Sequence, residues 1–201
     1  MLYLILLFTN CRNNNLETEI KIGSQIQTKR IEINNKRVKE FASKAASFIK
    51  IRNYNNQFCF LIDMSISSGK KRFFVYDSKT NGIITSGLVA HGSCNTGGLL
   101  NAKFSNKTGS GCTSLGKYKI GYRYKGRFGK SYKLYGLDKE NSKAFERAVV
   151  LHSYECVPDF EMIESGICNS LGCPMVSPKF LAMIQTFIDG SKKPILLWIY
   201  K

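Results

Sequence analysis

The sequence predicts a mainly β domain, with helices packed on a mixed or antiparallel sheet. Short runs rich in Phe, Val, Ile and Tyr recur from Phe58 onward, and turn-forming Gly, Asn and Ser separate them. Only two long stretches carry apolar residues at helical spacing. The 201 residues, 43% of them hydrophobic, suffice for one core and are short for two ordinary domains.

Met1 to Thr9 is almost wholly apolar and too short to span a bilayer as a helix. Cys11 follows, before the polar Arg12-Asn13-Asn14-Asn15, and the segment reads as the end of a secretory signal that lacks its positive start. Cys11 is then the candidate lipid-carrying residue of an envelope lipoprotein, which gives a membrane as a possible second partner. Leu16 to Lys36 is polar and without strong periodicity, which predicts an extended tether. The chain thus divides into a signal-like segment and tether over 1–35 and one folded domain over 36–201.

Val38, Phe41, Ala42, Ala45, Phe48 and Ile49 recur at three- and four-residue steps, which predicts a helix ending near Arg52. Strands are expected at Phe58 to Met64, Arg72 to Tyr76 and Ile83 to Ala90, an antiparallel meander turning at Ser67-Ser68-Gly69 and Asn81-Gly82. Gly and Ser dominate from Gly92 to Gly116, where a long loop is expected. Further strands are predicted at Gly116 to Tyr124, Ser131 to Leu137 and Ala148 to Ser153. Between the last two, Asn141 to Arg147 forms a helical turn or two, with Ala144, Phe145 and Ala148 on one face. Ser177 caps a helix over Pro178 to Asp189 that stops at Gly190, and Ile195 to Tyr200 closes the domain as a strand.

Thirty Lys plus Arg against fourteen Asp plus Glu give a formal charge of +16, which favours an anionic partner. The basic residues scatter from Lys21 to Lys201 without an Arg-rich helix, so they read as a solvated basic surface, and no nucleic-acid partner is predicted. Seven cysteines are an odd number. With Cys11 lipidated and Cys173 free, Cys59, Cys94, Cys112, Cys156 and Cys168 remain, enough for at most two disulfides; most are expected as small buried hydrophobes. There is no CxxC pair and there are only two histidines, so neither a metal site nor a cofactor is predicted.

Two segments carry candidate chemistry. Ala148-Val149-Val150-Leu151-His152-Ser153 is an apolar run ending in a histidine, and Ser170-Leu171-Gly172-Cys173-Pro174 places a cysteine after a glycine that permits close backbone approach. A cysteine near a histidine is a potential thiolate nucleophile, because the imidazole takes or shares its proton. Amides around Gly172 and Cys173 are candidate oxyanion donors. The loop from Tyr154 to Asn169 has to bring the two segments together.

These segments resemble the family of murein L,D-transpeptidase catalytic domains, in which a strand ends in His and a Ser-x-Gly-Cys follows. Val89-Ala90-His91-Gly92, Phe104-Ser105-Asn106, Ser114-Leu115-Gly116-Lys117-Tyr118, Tyr124-Lys125-Gly126, Leu134 to Leu137 and Arg147 to His152 are also similar, in order, over most of the chain. The resemblance implies an L,D-transpeptidase-like β-sandwich or barrel with a flanking N-terminal helix and a C-terminal helix. It implies a periplasmic or cell-envelope cysteine acyltransferase that forms L,D cross-links between peptidoglycan stem peptides through a thioester at Cys173, with His152 as base. Ser170, Gly172, Ser153 and His91 are the matching candidates for substrate and oxyanion contacts, His91 either lining the cleft or acting as a hydrogen-bonded structural histidine. An L,D-carboxypeptidase using the same dyad with water, and a non-catalytic glycan-binding envelope module, are the alternatives. Leu171 stands where many members carry His, Arg or Trp, and Cys112 where the pattern has serine. Tyr118, Tyr122, Tyr124, Phe128 and Tyr132 are read as strand packing in preference to sugar stacking.

Overall fold

A computed structural model describes residues 6–98, 100–162 and 165–201. Residues 1–5 of the apolar N-terminal stretch, and the side chain of Cys11, lie outside what is described. The chain forms two compact units, Met1–Glu40 and Phe41–Lys201.

A helix, α1, runs over Leu6–Arg52. It ends where the sequence predicts, at Asn53 with φ 58°, but it also takes in Leu16 to Lys36, which corrects the extended tether. That segment has no proline, a single glycine, and Glu, Gln and Lys as its recurring polar residues, so intrinsic propensity makes it helical without an apolar stripe. Ser24 and Thr28 donate their hydroxyls back to the carbonyls of Lys21 and Ser24, at 2.8 and 2.9 Å, which is compatible with helix. Among the described residues no helix is long and apolar enough to cross a membrane.

The second unit is built on eight strands: β1 (Phe58–Asp63), β2 (Phe73–Asp77), β3 (Gly82–Gly87), β4 (Gly116–Gly126), β5 (Gly129–Gly136), β6 (Val150–Ser153), β7 (Met175–Val176) and β8 (Leu196–Tyr200). They form one mixed sheet in the order β3-β2-β1-β8-β4-β5-β6-β7, parallel only at β1–β8 and β6–β7. The sheet curls. Beyond β3 the chain bridges Ala90 to Met175 of β7, at the opposite end of the strand order, with Ala90 N–H donating to the Met175 carbonyl at 2.8 Å. The fold is the mainly β sandwich or barrel with flanking helices that the resemblance implied.

Packing follows from the pattern. β1 lies between β2 and β8, is covered on both faces, and reads as a nearly continuous apolar run. β4 and β5 alternate instead, with Tyr118, Ile120, Tyr132 and Leu134 turned into the core. The second helix, α2 (Pro178–Asp189), is capped as expected, Ser177 Oγ accepting from Phe180 N–H at 3.1 Å. Its Phe180, Leu181 and Ile184 enter the same core as Leu151 and Val176. Within this unit, Phe41 of α1 stacks on Tyr200 and meets Trp198 edge-on, so the last turns of α1 cover β8. One 3-10 turn at Lys139–Asn141 precedes the Asn141 to Arg147 stretch, in which Ala144 is buried while Phe145 is 57% exposed, so these residues do not share a buried face.

The cysteine expectation needs correcting too. Cys94–Cys112 and Cys156–Cys168 are disulfides, and Cys59 alone of the five is a buried thiol. The first staples the long Gly92 to Gly116 loop to itself, and the second closes the loop between β6 and β7.

Candidate functional site

Cys173 and His152 come together because β6 and β7 are parallel neighbours. His152 pairs with Met175, two residues after Cys173, and the His152 N–H donates to the Pro174 carbonyl at 3.5 Å. The Cys173 sulfur accepts from the N–H of Val150 at 3.5 Å, two residues before His152 on the same strand. Imidazole and thiol therefore occupy one edge of the sheet, though no hydrogen bond joins them in this state. The sequence gap between them is bridged by the loop that Cys156–Cys168 closes.

The His152 Nδ1 lies 3.1 Å from the Ser153 carbonyl. A carbonyl only accepts, so Nδ1 carries the proton and Nε2 is the basic nitrogen. Burial lowers the His152 pKa below its usual 6.5, against the opposing Ser153 hydrogen bond. Burial also raises the Cys173 thiol above 9.0, while the Val150 N–H and the Arg147 charge pull it back. Both shifts favour the uncharged thiol and imidazole near neutrality.

The turn that presents Cys173 is braced internally. Ser170 Oγ donates to the Cys173 carbonyl at 2.7 Å and accepts the Gly172 N–H at 3.1 Å. Ser170 thus shapes the turn and the Gly172 amide is occupied, which narrows the expected oxyanion donors to the Cys173 N–H, bonded to none of the described residues. Gly172 has φ 115°, and a Cβ there would lie 2.6 Å from the Cys112 carbonyl and 3.2 Å from Arg147 Nη2, so both conformation and space demand glycine. Ser153 contributes its carbonyl to His152, and Leu171 is 78% exposed at the rim.

His91 corrects the cleft-lining expectation. It is wholly buried, its ring held by Arg72 and Asn169. Arg72 Nη2 lies 2.9 Å from its Nδ1, and a guanidinium only donates, so Nδ1 accepts; the Asn169 side-chain amide lies 3.3 Å from Nε2. The His91 carbonyl accepts the Ser170 N–H at 2.8 Å. His91 therefore anchors the start of the cysteine turn from below, the hydrogen-bonded structural alternative. Arg72, itself 1% exposed, also donates to the carbonyls of Val89 and Ile66.

Two further residues, given no place in the site by the sequence, contribute to it. Arg147, half-buried, donates to the carbonyls of Cys112 at 2.5 Å and Ser105 at 2.9 Å and to Ser114 Oγ at 3.3 Å, and among the described residues it has no carboxylate partner. It fastens the disulfide-bearing loop against Gly172 and puts positive charge beside Cys173. Its only sequence signal was its place at the head of the Arg147 to His152 block. Phe128, at the β4–β5 tip, stacks on the His152 ring at 4.7 Å between centroids and meets Tyr154 edge-on. Its strand-packing assignment fails because Phe128 is 44% exposed and packs on the histidine.

Residues 30–200 match the family model described as "L,D-transpeptidase catalytic domain". No curated protein matches the chain by sequence. Among solved structures, an L,D-transpeptidase from Mycobacterium smegmatis is similar with TM-score 0.43 and 11% identity over 72% of this chain and 59% of that one. An L,D-transpeptidase from Xylanimonas cellulosilytica gives 0.40 and 12% over 72% and 60%. The helical cell shape determining protein Pgp2 from Campylobacter jejuni gives 0.42 and 12% over 72% and 48%. The chain thus spans about half to three-fifths of the length of these structures.

Proposed function

This chain belongs to the L,D-transpeptidase catalytic-domain family, and we propose that it is a cysteine acyltransferase acting on peptidoglycan stem peptides, with Cys173 as nucleophile and His152 as base. The observation that carries this reading is the shared edge of β6 and β7: the Cys173 sulfur sits against the Val150 amide, and His152 is oriented by Ser153 with Nε2 left basic. As sulfur attacks the carbonyl carbon of the L-centre, its proton passes to Nε2 and negative charge moves to the carbonyl oxygen, where the Cys173 N–H is the donor available. Collapse breaks the C–N bond, and the departing D-residue amine takes the proton from the imidazolium. The thioester is then resolved by an amine of a second stem, which loses its proton to Nε2 as the cross-link forms and the thiol is regenerated. Water in place of the amine gives a trimmed stem by the same route.

Two disulfides support an oxidising, envelope location, since such bonds persist outside the reducing cytosol. Lipid attachment at Cys11 belongs to the same proposal and has the sequence signal alone behind it. The deciding experiment is intact mass after incubation with a carbapenem, an acyl donor the family resemblance suggests. One adduct on wild type and none on Cys173→Ala is expected, followed by muropeptide analysis to separate cross-linked from trimmed products. A folded protein with a free Cys173 thiol that takes no adduct, or a Cys173→Ala variant that takes one, would sink the assignment.

A further inference from the structure

The β4–β5 hairpin concentrates charge and aromatic rings that the chain-wide scatter of basic residues conceals. Over Gly116 to Gly136 it has seven Lys or Arg, six Tyr or Phe, and no Asp or Glu. Tyr118 and Tyr132 are core, but the rest of the pattern builds an outer face. A Cβ on Gly121 would lie 2.4 Å from the Tyr135 ring, and one on Gly126 would lie 2.9 Å from the Tyr124 ring. Glycine at these two places lets both rings lie close against the strand. Phe145 then stacks on Tyr135, nearly parallel at 11° with centroids 5.3 Å apart, and Tyr122 meets Tyr124 edge-on at 6.3 Å. The ammonium of Lys119 stands 4.7 Å over Tyr135, and that of Lys133 stands 4.7 Å over Tyr124 and 5.9 Å from Phe145. Phe145 and Tyr122 are 57% and 58% exposed at the two ends of this strip.

We infer that this outer face of β4 and β5, with Phe145 and Tyr122 as its exposed rings and Lys119 and Lys133 between them, binds the glycan strand of peptidoglycan. Apolar faces of sugar rings stack on exposed aromatic rings, and the lysines meet the carboxylates of the attached stem peptides. Lys117 and Arg123 pair with Asp138 and Asp189, and the excess of positive charge on the rest of the hairpin is the complement of such an anionic polymer. Choosing a glycan over a nucleic acid, which also suits basic and aromatic surfaces, rests on the proposed function and on continuity: Phe128, from the same hairpin, stacks on His152. A strand held along the hairpin would keep its stems close to Cys173 at high effective concentration.

Co-sedimentation with purified sacculi tests this on the full chain. The double variant Tyr122→Ala/Phe145→Ala should lose about tenfold in apparent affinity, and Lys119→Gln/Lys133→Gln should bind with a flatter salt dependence. The inference is overturned if the aromatic double variant, folded and still acylated by a carbapenem, pellets like wild type. It is equally overturned if single-stranded DNA displaces sacculi and binds in a manner that needs Tyr122 and Phe145. Ring-dependent pelleting without carbapenem acylation would support the glycan surface and remove the acyltransfer reading by itself.

Discussion

Arg147 offers the sharpest separation of chemistry from architecture. Replacing it with Ala removes two charge-assisted bonds to backbone carbonyls, Cys112 at 2.5 Å and Ser105 at 2.9 Å, and a longer one to Ser114 Oγ. Such bonds are worth about 1.5–3 kcal/mol each when buried. Because Arg147 is half-exposed and water re-solvates part of what is freed, a loss of about 2 kcal/mol is expected, or roughly 4–8 °C in Tm for a chain of this size. The same substitution withdraws the positive charge that opposes the burial-raised pKa of Cys173, so that pKa rises further. The assay is the rate of Cys173 alkylation by iodoacetamide across pH, beside a thermal melt. In Arg147→Ala the rising limb should move to higher pH. In Arg147→Lys the charge returns without the planar fork, so the limb should return most of the way while Tm stays low. A folded Arg147→Ala protein with an unmoved alkylation profile would refute the charge argument, and an unmoved Tm would refute the brace.

Gly172→Ala should lower acylation at least tenfold, because its Cβ would meet the Cys112 carbonyl at 2.6 Å and push the cysteine turn out of place; carbapenem acylation rates equal to wild type would contradict this. Carbapenem acylation should depend on neutral His152: since burial lowers its pKa below 6.5, the midpoint of the acid limb, where the ring protonates, should lie below pH 6.5. A rate already halved at or above pH 6.5 would show that burial does not govern this ring. Phe128→Ala uncovers the His152 ring and re-solvates it, so the midpoint of that same limb should shift upward, towards 6.5, with Tm changed by only a few degrees. Cys94→Ser/Cys112→Ser releases the loop that carries the Arg147-bound carbonyl, and its alkylation profile should move in the direction of Arg147→Ala; a profile identical to wild type would uncouple disulfide from thiol.

Much of the fold was legible because its signals are local. Asn81-Gly82 marks a hairpin, Ser177-Pro178 starts a helix, and runs such as Phe58 to Met64 read as strands, since turn chemistry, capping and periodicity depend on neighbours in the chain. The two-residue β7 was missed because two residues make no period. Leu16 to Lys36 was misread because it has no apolar stripe, while its helix rests on summed propensity.

The sequence by itself determined the family, the candidate nucleophile and base, and the glycine beside them, since these are residue identities at short spacings. Only the tertiary structure decided what depends on distant segments meeting: the insertion of β8 between β1 and β4, the pairing of four cysteines, the burial of His91 under Arg72, and the position of Arg147 against the cysteine turn. A histidine at a strand end looks the same in sequence whether its ring meets an aromatic ring or a buried guanidinium. Both rings are buried, and their neighbours in the packed chain separate them: His152 lies against Phe128 on the strand beside the Cys173 turn, and His91 against Arg72 under that turn.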